Sequence, residues 1–225
     1  MSVASSDALS ASAELFQRRR ALRQELRRKR RALTPAQQRS ASLALCARLR
    51  QLPEIRRARH VALYLPNDGE IDPTPLLAWL RRRGTYVYLP VLRPLVENRL
   101  WFVRFDDATP MTRNRFGIQE PSTRFGAYHA RRCAPWALDM VLLPLVGFDD
   151  FGQRMGMGGG FYDRTFAFAR SQHGPRPRLM GLAHEIQRVA HLPSAAWDVP
   201  LDAIVSDQSL IRPRRTFTHA KGGQL

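Results

Sequence analysis

Between Arg154 and Gly160 the chain reads RMGMGGG, flanked by an apolar run, DMVLLPLVGF (139–148), and by FYDRTFAFAR (161–170). Glycine loses more conformational freedom on folding than any other residue, so folding alone does not favour such a cluster. Something has to come close to the backbone here. The apolar run has the length and the branched residues of a buried strand, and the segment after the glycines has the pattern of a helix. Strand, glycine loop and helix in that order mark the place where open α/β sheets hold ligands. Gly152, Gly156, Gly158, Gly159 and Gly160 permit positive φ. Loop amides in front of a helix N-terminus form a cradle for anions, and phosphate is the expected guest. The two common phosphate motifs fail on inspection. There is no lysine for a GxxxxGK[ST] loop, and a GxGxxG reading from Gly156 meets Phe161 at its last position. Arg154 stands at the loop's entry in place of the missing lysine. Asp163, in the first turn of the helix, suits the helix dipole and is a carboxylate able to hold Mg²⁺ against a nucleotide. A flexible linker does not fit, because Phe148, Phe151, Phe161 and Tyr162 surround the loop.

The rest of the chain supplies the frame for that loop. Leu15, Leu22, Leu26 and Leu33 keep one narrow apolar stripe, so a helix is expected from Glu14 to Leu33. Arginine and Lys29 cover its remaining surface. A second helix is expected to start with Thr34 as cap, Pro35 in the first turn and Gln37 closing a capping box, and to run to about Arg50. Beyond it, HVALYL (60–65), TYVYLP (85–90), LWFVRF (100–105), the run 139–148, RLMGLA (178–183) and LDAIVSD (201–207) read as strands. TPLLAWLRRRG (74–84) reads as a helix closed by Gly84. Strands alternating with helices predict a three-layer α/β/α fold with a mostly parallel, Rossmann-like sheet and a basic N-terminal helix pair. One domain is expected over residues 14–211, between flexible tails at 1–13 and 212–225.

Charge and composition narrow the function. The formal charge is +17, and lysine occurs only at 29 and 221, so arginine carries nearly all of it. Such a balance favours anionic partners, and arginine grips phosphate and carboxylate with two donors at once. The 44% hydrophobic content is that of a globular chain, with no apolar run long enough to span a membrane. No secretory signal is evident, and Asp7, Glu14 and Glu25 argue against a transit peptide. Cys46 and Cys133 form no CxxC, so neither a disulfide framework nor a zinc site is expected, and the simple location is the reducing cytoplasm. His60, His129, His173, His184 and His191 are scattered without metal-binding spacing.

The stretch LPLVGFDDFGQRMGMGGGFYDRTF (143–166) resembles the signature of the 5-formyltetrahydrofolate cyclo-ligase family. Further segments are similar in the right order: RRALRQELRRKRRALTPAQQRSAS (19–42), LYLPNDGEIDPTPLL (63–77), FGIQEP (116–121) and WDVPLDAIVSD (197–207). The resemblance covers about residues 18–207. It implies an ATP-dependent, Mg²⁺-requiring cyclisation by a monomer, with 5-formyltetrahydrofolate, with or without a polyglutamate tail, as substrate. The formyl oxygen is phosphorylated, N10 attacks the activated carbon, phosphate leaves and 5,10-methenyltetrahydrofolate forms. Phosphoryl transfer needs positioning and charge neutralisation rather than a covalent nucleophile, which suits a glycine cradle with arginines.

Matched residue by residue, the resemblance implies that Arg19 and Arg23 touch ATP phosphates, together with Arg154, Gly156, Met157, Gly158, Gly159, Gly160, Phe161 and Tyr162. Met157 through Phe161 also border the folate, with Leu65, Glu70 and Phe116. Asp163 and Asp198 match the Mg²⁺ ligands, and Arg154, Tyr162 and Asp163 are the residues expected to carry the chemistry. Two departures stand out. The family commonly has Tyr-Tyr-Asp after the loop and here it is Phe161-Tyr162-Asp163; eukaryotic members often carry Lys where Gly159 stands. The rival readings are an RNA-binding protein using helix 18–31 as a phosphate-tracking face, and a nucleotide-binding regulator without turnover.

Overall fold

The computed structural model describes residues 3–170, 174–193 and 198–213. Two helices open it, α1 (Val3–Arg31) and α2 (Pro35–Gln51). The second carries the expected capping box, with the Thr34 hydroxyl accepting from the Gln37 amide and the Gln37 side chain returning to the Thr34 amide. The first begins at Val3, earlier than the Glu14 start expected for this helix. Residues 3–13 hold neither glycine nor proline, and their alanines favour helix. Of the C-terminal tail, residues 214–225 lie outside the described residues, as does His173.

A short helix α3 (Pro53–Arg57) leads into β1 (His60–Ala62). A 3-10 turn (Thr74–Leu76) and α4 (Leu77–Arg82) follow, closed by Gly84 at φ 72° as expected. Then come β2 (Tyr86–Leu92), β3 (Leu100–Arg104), the hairpin β4 (Met111–Arg113) and β5 (Gln119–Pro121), α5 (Thr123–Gly126), β6 (Arg132–Cys133) and β7 (Met140–Pro144). The last elements are β8 (Gly147–Phe148), β9 (Arg154–Met155), α6 (Phe161–Thr165), β10 (Arg178–Ala183), β11 (Ala203–Ser206) and β12 (Leu210–Ile211).

The main sheet has the order β12-β11-β10-β7-β1-β2-β3-β6. Its centre, β11 to β2, is parallel, and the flanking pairs are antiparallel. Parallel strands are covered on both faces, and alternate residues divide between two cores. Val61, Val87, Leu89, Met140, Leu142, Met180, Leu182, Ala203 and Val205 meet Leu45, Leu49, Ile55 and Leu80 of α2, α3 and α4. Ala62, Tyr88, Val141, Leu143, Leu179 and Ile204 meet Phe166, the C-cap of α6, and Ala169 in the turn behind it. The three layers are thus present, with the second helical layer thin. The helix expected over 161–170 is α6 followed by a 3-10 turn (Ala167–Arg170).

Two corrections bear on the site. The run 139–148 is not one strand. Pro144 has no amide to continue a ladder, and Gly147 lies so close to α1 that a Cβ there would sit 2.5 Å from Leu26 Cδ1. The chain therefore leaves the main sheet after β7, and β8 pairs with β9 in a separate two-stranded ribbon. The β4–β5 hairpin was unexpected. Its signal was NRFG (114–117), where Asn114 Oδ1 accepts from Phe116 and Ile118 amides and Gly117 takes φ 74°.

Candidate active site

The chain runs from β1 outward to β2 and later returns to β7 on the other flank of β1. The loops leaving β1 and β7 diverge at the carboxyl edge, and such a switch point is where open α/β sheets hold ligands. The first loop carries Tyr64 to Glu70, the second carries the β8–β9 ribbon and the glycines. Helix α1 lies against both. Leu26 joins Val146, Met155 and Leu192 in a small core, with Leu22 partly buried beside it.

The face of α1 that turns inward is a row of arginines at helical spacing. Arg19 donates to Asp198 Oδ2 at 3.2 Å from both terminal nitrogens, and one of them also reaches the Pro193 carbonyl. Arg23 Nε donates to the Gly156 carbonyl at 2.9 Å. Burial and the neighbouring Arg19 and Arg27 charges lower its pKa. Arg27 Nε donates to Asp68 Oδ2 at 2.8 Å, and Arg31 bonds Asp68 Oδ1. Burial works to raise the Asp68 carboxyl, but bonds from Arg27, Arg31 and Arg30 more than offset it and leave it at about 2.

The glycine loop opens from β9. Gly158 has φ 97°, and Gly160, at φ 67°, caps α6. Both conformations are strained for any residue with a Cβ. Beside Gly156 a Cβ would meet nothing within 4 Å, so bare backbone faces open space there. Arg23 Cζ lies on one side, 3.5 Å from where a Gly158 Cβ would be, and Arg164 donates to the Gly159 carbonyl at 2.7 Å. Arg154 is buried; its Nε donates to the Val199 carbonyl at 3.1 Å and its Nη2 pairs with Asp163. Asp163 Oδ1 also accepts from the Val199 amide at 3.0 Å, which brings the segment bearing Asp198 to α6.

Glu70 lies on the opposite side, in the loop after β1. Its Oε2 accepts from the Asn67 amide at 3.1 Å, and burial pushes its carboxyl up to about 7 against the pull of Arg30. The Tyr162 phenol is raised by burial and by the Glu70 charge, which puts the glycine loop's helix and the β1 loop in electrostatic contact. Tyr64 donates to the Ile71 carbonyl at 2.6 Å in the same nest. Phe116, at the tip of the β4–β5 hairpin, is exposed and meets Phe161 edge-on, centroids 5.9 Å apart. Met157 is half exposed. Leu65 is partly buried against the sheet core.

Most of the residues singled out in the sequence are therefore linked by direct contacts. Leu65 is placed by packing alone. Sequence reasoning missed Arg30 and Asp68. Arg30 looked like one of many solvated arginines, yet it lies four residues after Leu26, on the buried stripe. No group of three His, Cys, Asp or Glu among the described residues makes a metal site from protein alone. Asp163 and Asp198 each engage an arginine.

Fold and site together define a doubly wound α/β protein with a basic, glycine-lined crevice at its switch point. Residues 16–207 match the profile of the 5-formyltetrahydrofolate cyclo-ligase family, and the chain belongs to that family of enzymes. The 5-formyltetrahydrofolate cyclo-ligase of Escherichia coli (strain K12) is 41% identical over 182 residues, 80% of this chain and 96% of the relative. That of Haemophilus influenzae is 41% identical over 186 residues, covering 82% and 95%. The solution structure of Aquifex aeolicus 5,10-methenyltetrahydrofolate synthetase superposes with a TM-score of 0.72 at 30% identity, covering 92% of this chain and 99% of that one.

Proposed function

We propose that the protein closes 5-formyltetrahydrofolate to 5,10-methenyltetrahydrofolate, with ATP spent and Mg²⁺ required. The observation that carries the reading is the crevice itself: open glycine backbone flanked by Arg23 and Arg154, with the buried Glu70 facing it from the other loop. Backbone at Gly156 to Gly160 with an αL cap suits phosphate oxygens, and Arg19, Arg23 and Arg154 neutralise their charge. Glu70 accepts hydrogen bonds from ring N–H groups of the folate, and Phe116, Phe161, Met157 and Leu65 supply apolar contact. Phosphorylation turns the formyl oxygen into a leaving group, after which N10 attack and loss of phosphate complete the ring.

The donor set suits a hard cation held by one or two carboxylates plus phosphate oxygens rather than by a protein cage. Asp163 and Asp198 would hold Mg²⁺, whose charge favours phosphoryl transfer. Arg154 and Arg19 pair with these two carboxylates and hold them in place until then. Tyr162, its phenol held neutral, presents a proton donor next to Glu70.

The RNA-binding reading keeps a smaller surface, made of Arg18, Arg20, Arg28, Lys29 and Arg31. Arg19, Arg23, Arg27 and Arg30 turn inward to carboxylates and carbonyls rather than forming one solvated row. The decisive experiment mixes protein, 5-formyltetrahydrofolate and Mg-ATP and follows the near-ultraviolet absorbance of the methenyl product. Product that depends on both ATP and Mg²⁺ is expected. Its absence while ATP still binds would leave the inactive-regulator reading.

A further inference from the structure

Among the described residues Arg30 is one of the largest side chains that are fully buried, and it is the one cation in that group. A buried charge persists only when paired and hydrogen-bonded. Its Nε donates to the Asp68 carbonyl at 2.8 Å and its Nη2 to Asp68 Oδ2 at 2.8 Å. Its Nη1 donates to the Leu145 carbonyl at 3.2 Å, and Nη2 stands 3.7 Å from Met157 Sδ and 3.8 Å from Glu70 Oε1. Asp68 and Glu70 belong to the loop after β1, Leu145 to the exit of β7, and Met157 to the glycine loop. The fit is tight on the backbone side as well. A Cβ at Gly69 would sit 3.1 Å from the Arg30 carbonyl oxygen, and Asp68 itself takes φ 55°.

We propose that Arg30 is a positioning residue that clasps the Glu70 loop to the exit of β7 and so presents Glu70 to the folate. The inference rests on the cyclo-ligase reading for the identity of that ligand. Full burial keeps Arg30 out of reach of any ligand, so it acts through Asp68 and Glu70. The rigid guanidinium fork matters here, because three acceptors on two segments are bridged by one planar group, which an ammonium cannot reproduce. The glycine loop has separate anchors in Arg23 and Arg154, so the clasp serves the folate side. Besides Arg30, the groups facing Glu70 are Asp68, Arg27, the Asn67 amide and the Tyr64 and Tyr162 phenols. Arg30 draws the ionisation of Glu70 downward against burial.

The test measures binding of 5-formyltetrahydrofolate alone and ATP alone by calorimetry, with amide hydrogen exchange, for wild type, Arg30→Lys and Asp68→Asn. In Arg30→Lys the folate Kd is expected to rise about tenfold while the ATP Kd stays within about twofold. Amides of residues 67–70 should exchange faster, with those of 156–158 changing less. Asp68→Asn, which keeps the shape but weakens the pairing, should move the same quantities in the same direction by less, and it serves if Arg30→Lys does not fold. In Arg30→Met the pH at which Glu70 ionises should rise, and Arg30→Lys should restore it. Equal weakening of both ligands, or unchanged folate binding in a folded variant, would overturn the clasp. If wild-type protein binds no folate, the cyclo-ligase reading fails instead. Exchange at 67–70 then decides the clasp, with faster exchange supporting it and unchanged rates refuting it.

Discussion

At the carboxyl edge of the sheet the arginines of α1 and the glycine loop end on carboxylates and carbonyl oxygens. At the amino edge other arginines lie over rings as well, even where, as in Arg81 with Asp107 and Arg83 with the Arg56 carbonyl, they also find an oxygen. Arg104 covers Tyr86 at 4.5 Å, Arg83 covers Trp79 at 4.9 Å and Arg81 covers Phe105 at 5.4 Å. The residue type is the same and the depth differs. Arg30 is fully buried and Arg154 nearly so, whereas the amino-edge guanidiniums border solvent. A charge in the interior must be satisfied donor by donor, since leaving it unpaired costs several kcal/mol. A cation over an exposed ring contributes about 0.5–1 kcal/mol and can be lost with little consequence. A net charge of +17 thus divides into a small set of arginines that build the crevice and a larger set that covers surface.

That contrast predicts a graded series of effects. The largest is expected at Asp163, which answers Arg154 across the glycine loop. Asp163→Asn should lower turnover by about a hundredfold or more, with far-ultraviolet circular dichroism unchanged. Wild-type turnover in that variant would remove Asp163 from the metal and phosphate machinery. Next is Arg23→Ala, for which the KM for ATP should rise about tenfold while the KM for folate holds steady. An unchanged value for ATP would move Arg23 to the surface class.

The third effect is on stability against pH. Glu70 has a folded-state pKa raised from 4.5 to about 7. The stability tied to its proton is present below about 4.5 and is lost as pH rises through about 7. Asp68 behaves oppositely. Its pKa falls from 3.8 to about 2, so its contribution is present above about 3.8 and is lost as pH drops towards 2. In urea titrations Glu70→Gln should abolish a decline of about 2 kcal/mol between about pH 5 and about pH 8. A decline that persists in the variant would assign it to another group. The smallest effect is expected at the amino edge. Arg104→Ala should cost less than about 1 kcal/mol and leave turnover at the wild-type level. A larger loss would dissolve the division between the two edges.

Much of the architecture could be read from the chain because its signals are local. The capping box at Thr34 and Gln37 and the Gly84 stop at the end of α4 need no distant partner, and both are where the residues put them. The strands at 60, 86, 100, 140, 178 and 203 announced themselves through apolar runs of branched residues. The errors have the opposite character. The run 139–148 looked continuous because Pro144 and Gly147 interrupt it without changing its hydrophobicity. The break shows once Leu26 of α1 is placed against Gly147.

The candidate site divides in the same way. Glycine spacing, Arg154, Asp163 and the Glu70 turn are features of short segments, so the sequence by itself determined that a glycine-rich loop bearing an arginine and leading into a helix follows a strand. It also determined that the composition suits phosphate, because backbone freedom and side-chain charge are local properties. Tertiary structure alone decided which arginines matter. Arg28 and Arg30 are indistinguishable by type and lie two positions apart, yet one is exposed and the other is sealed between two loops. The reason is the helical period: Arg30 follows Leu26 by four residues and shares its face, and that face became the inside of the crevice only when β1 and β7 were set side by side.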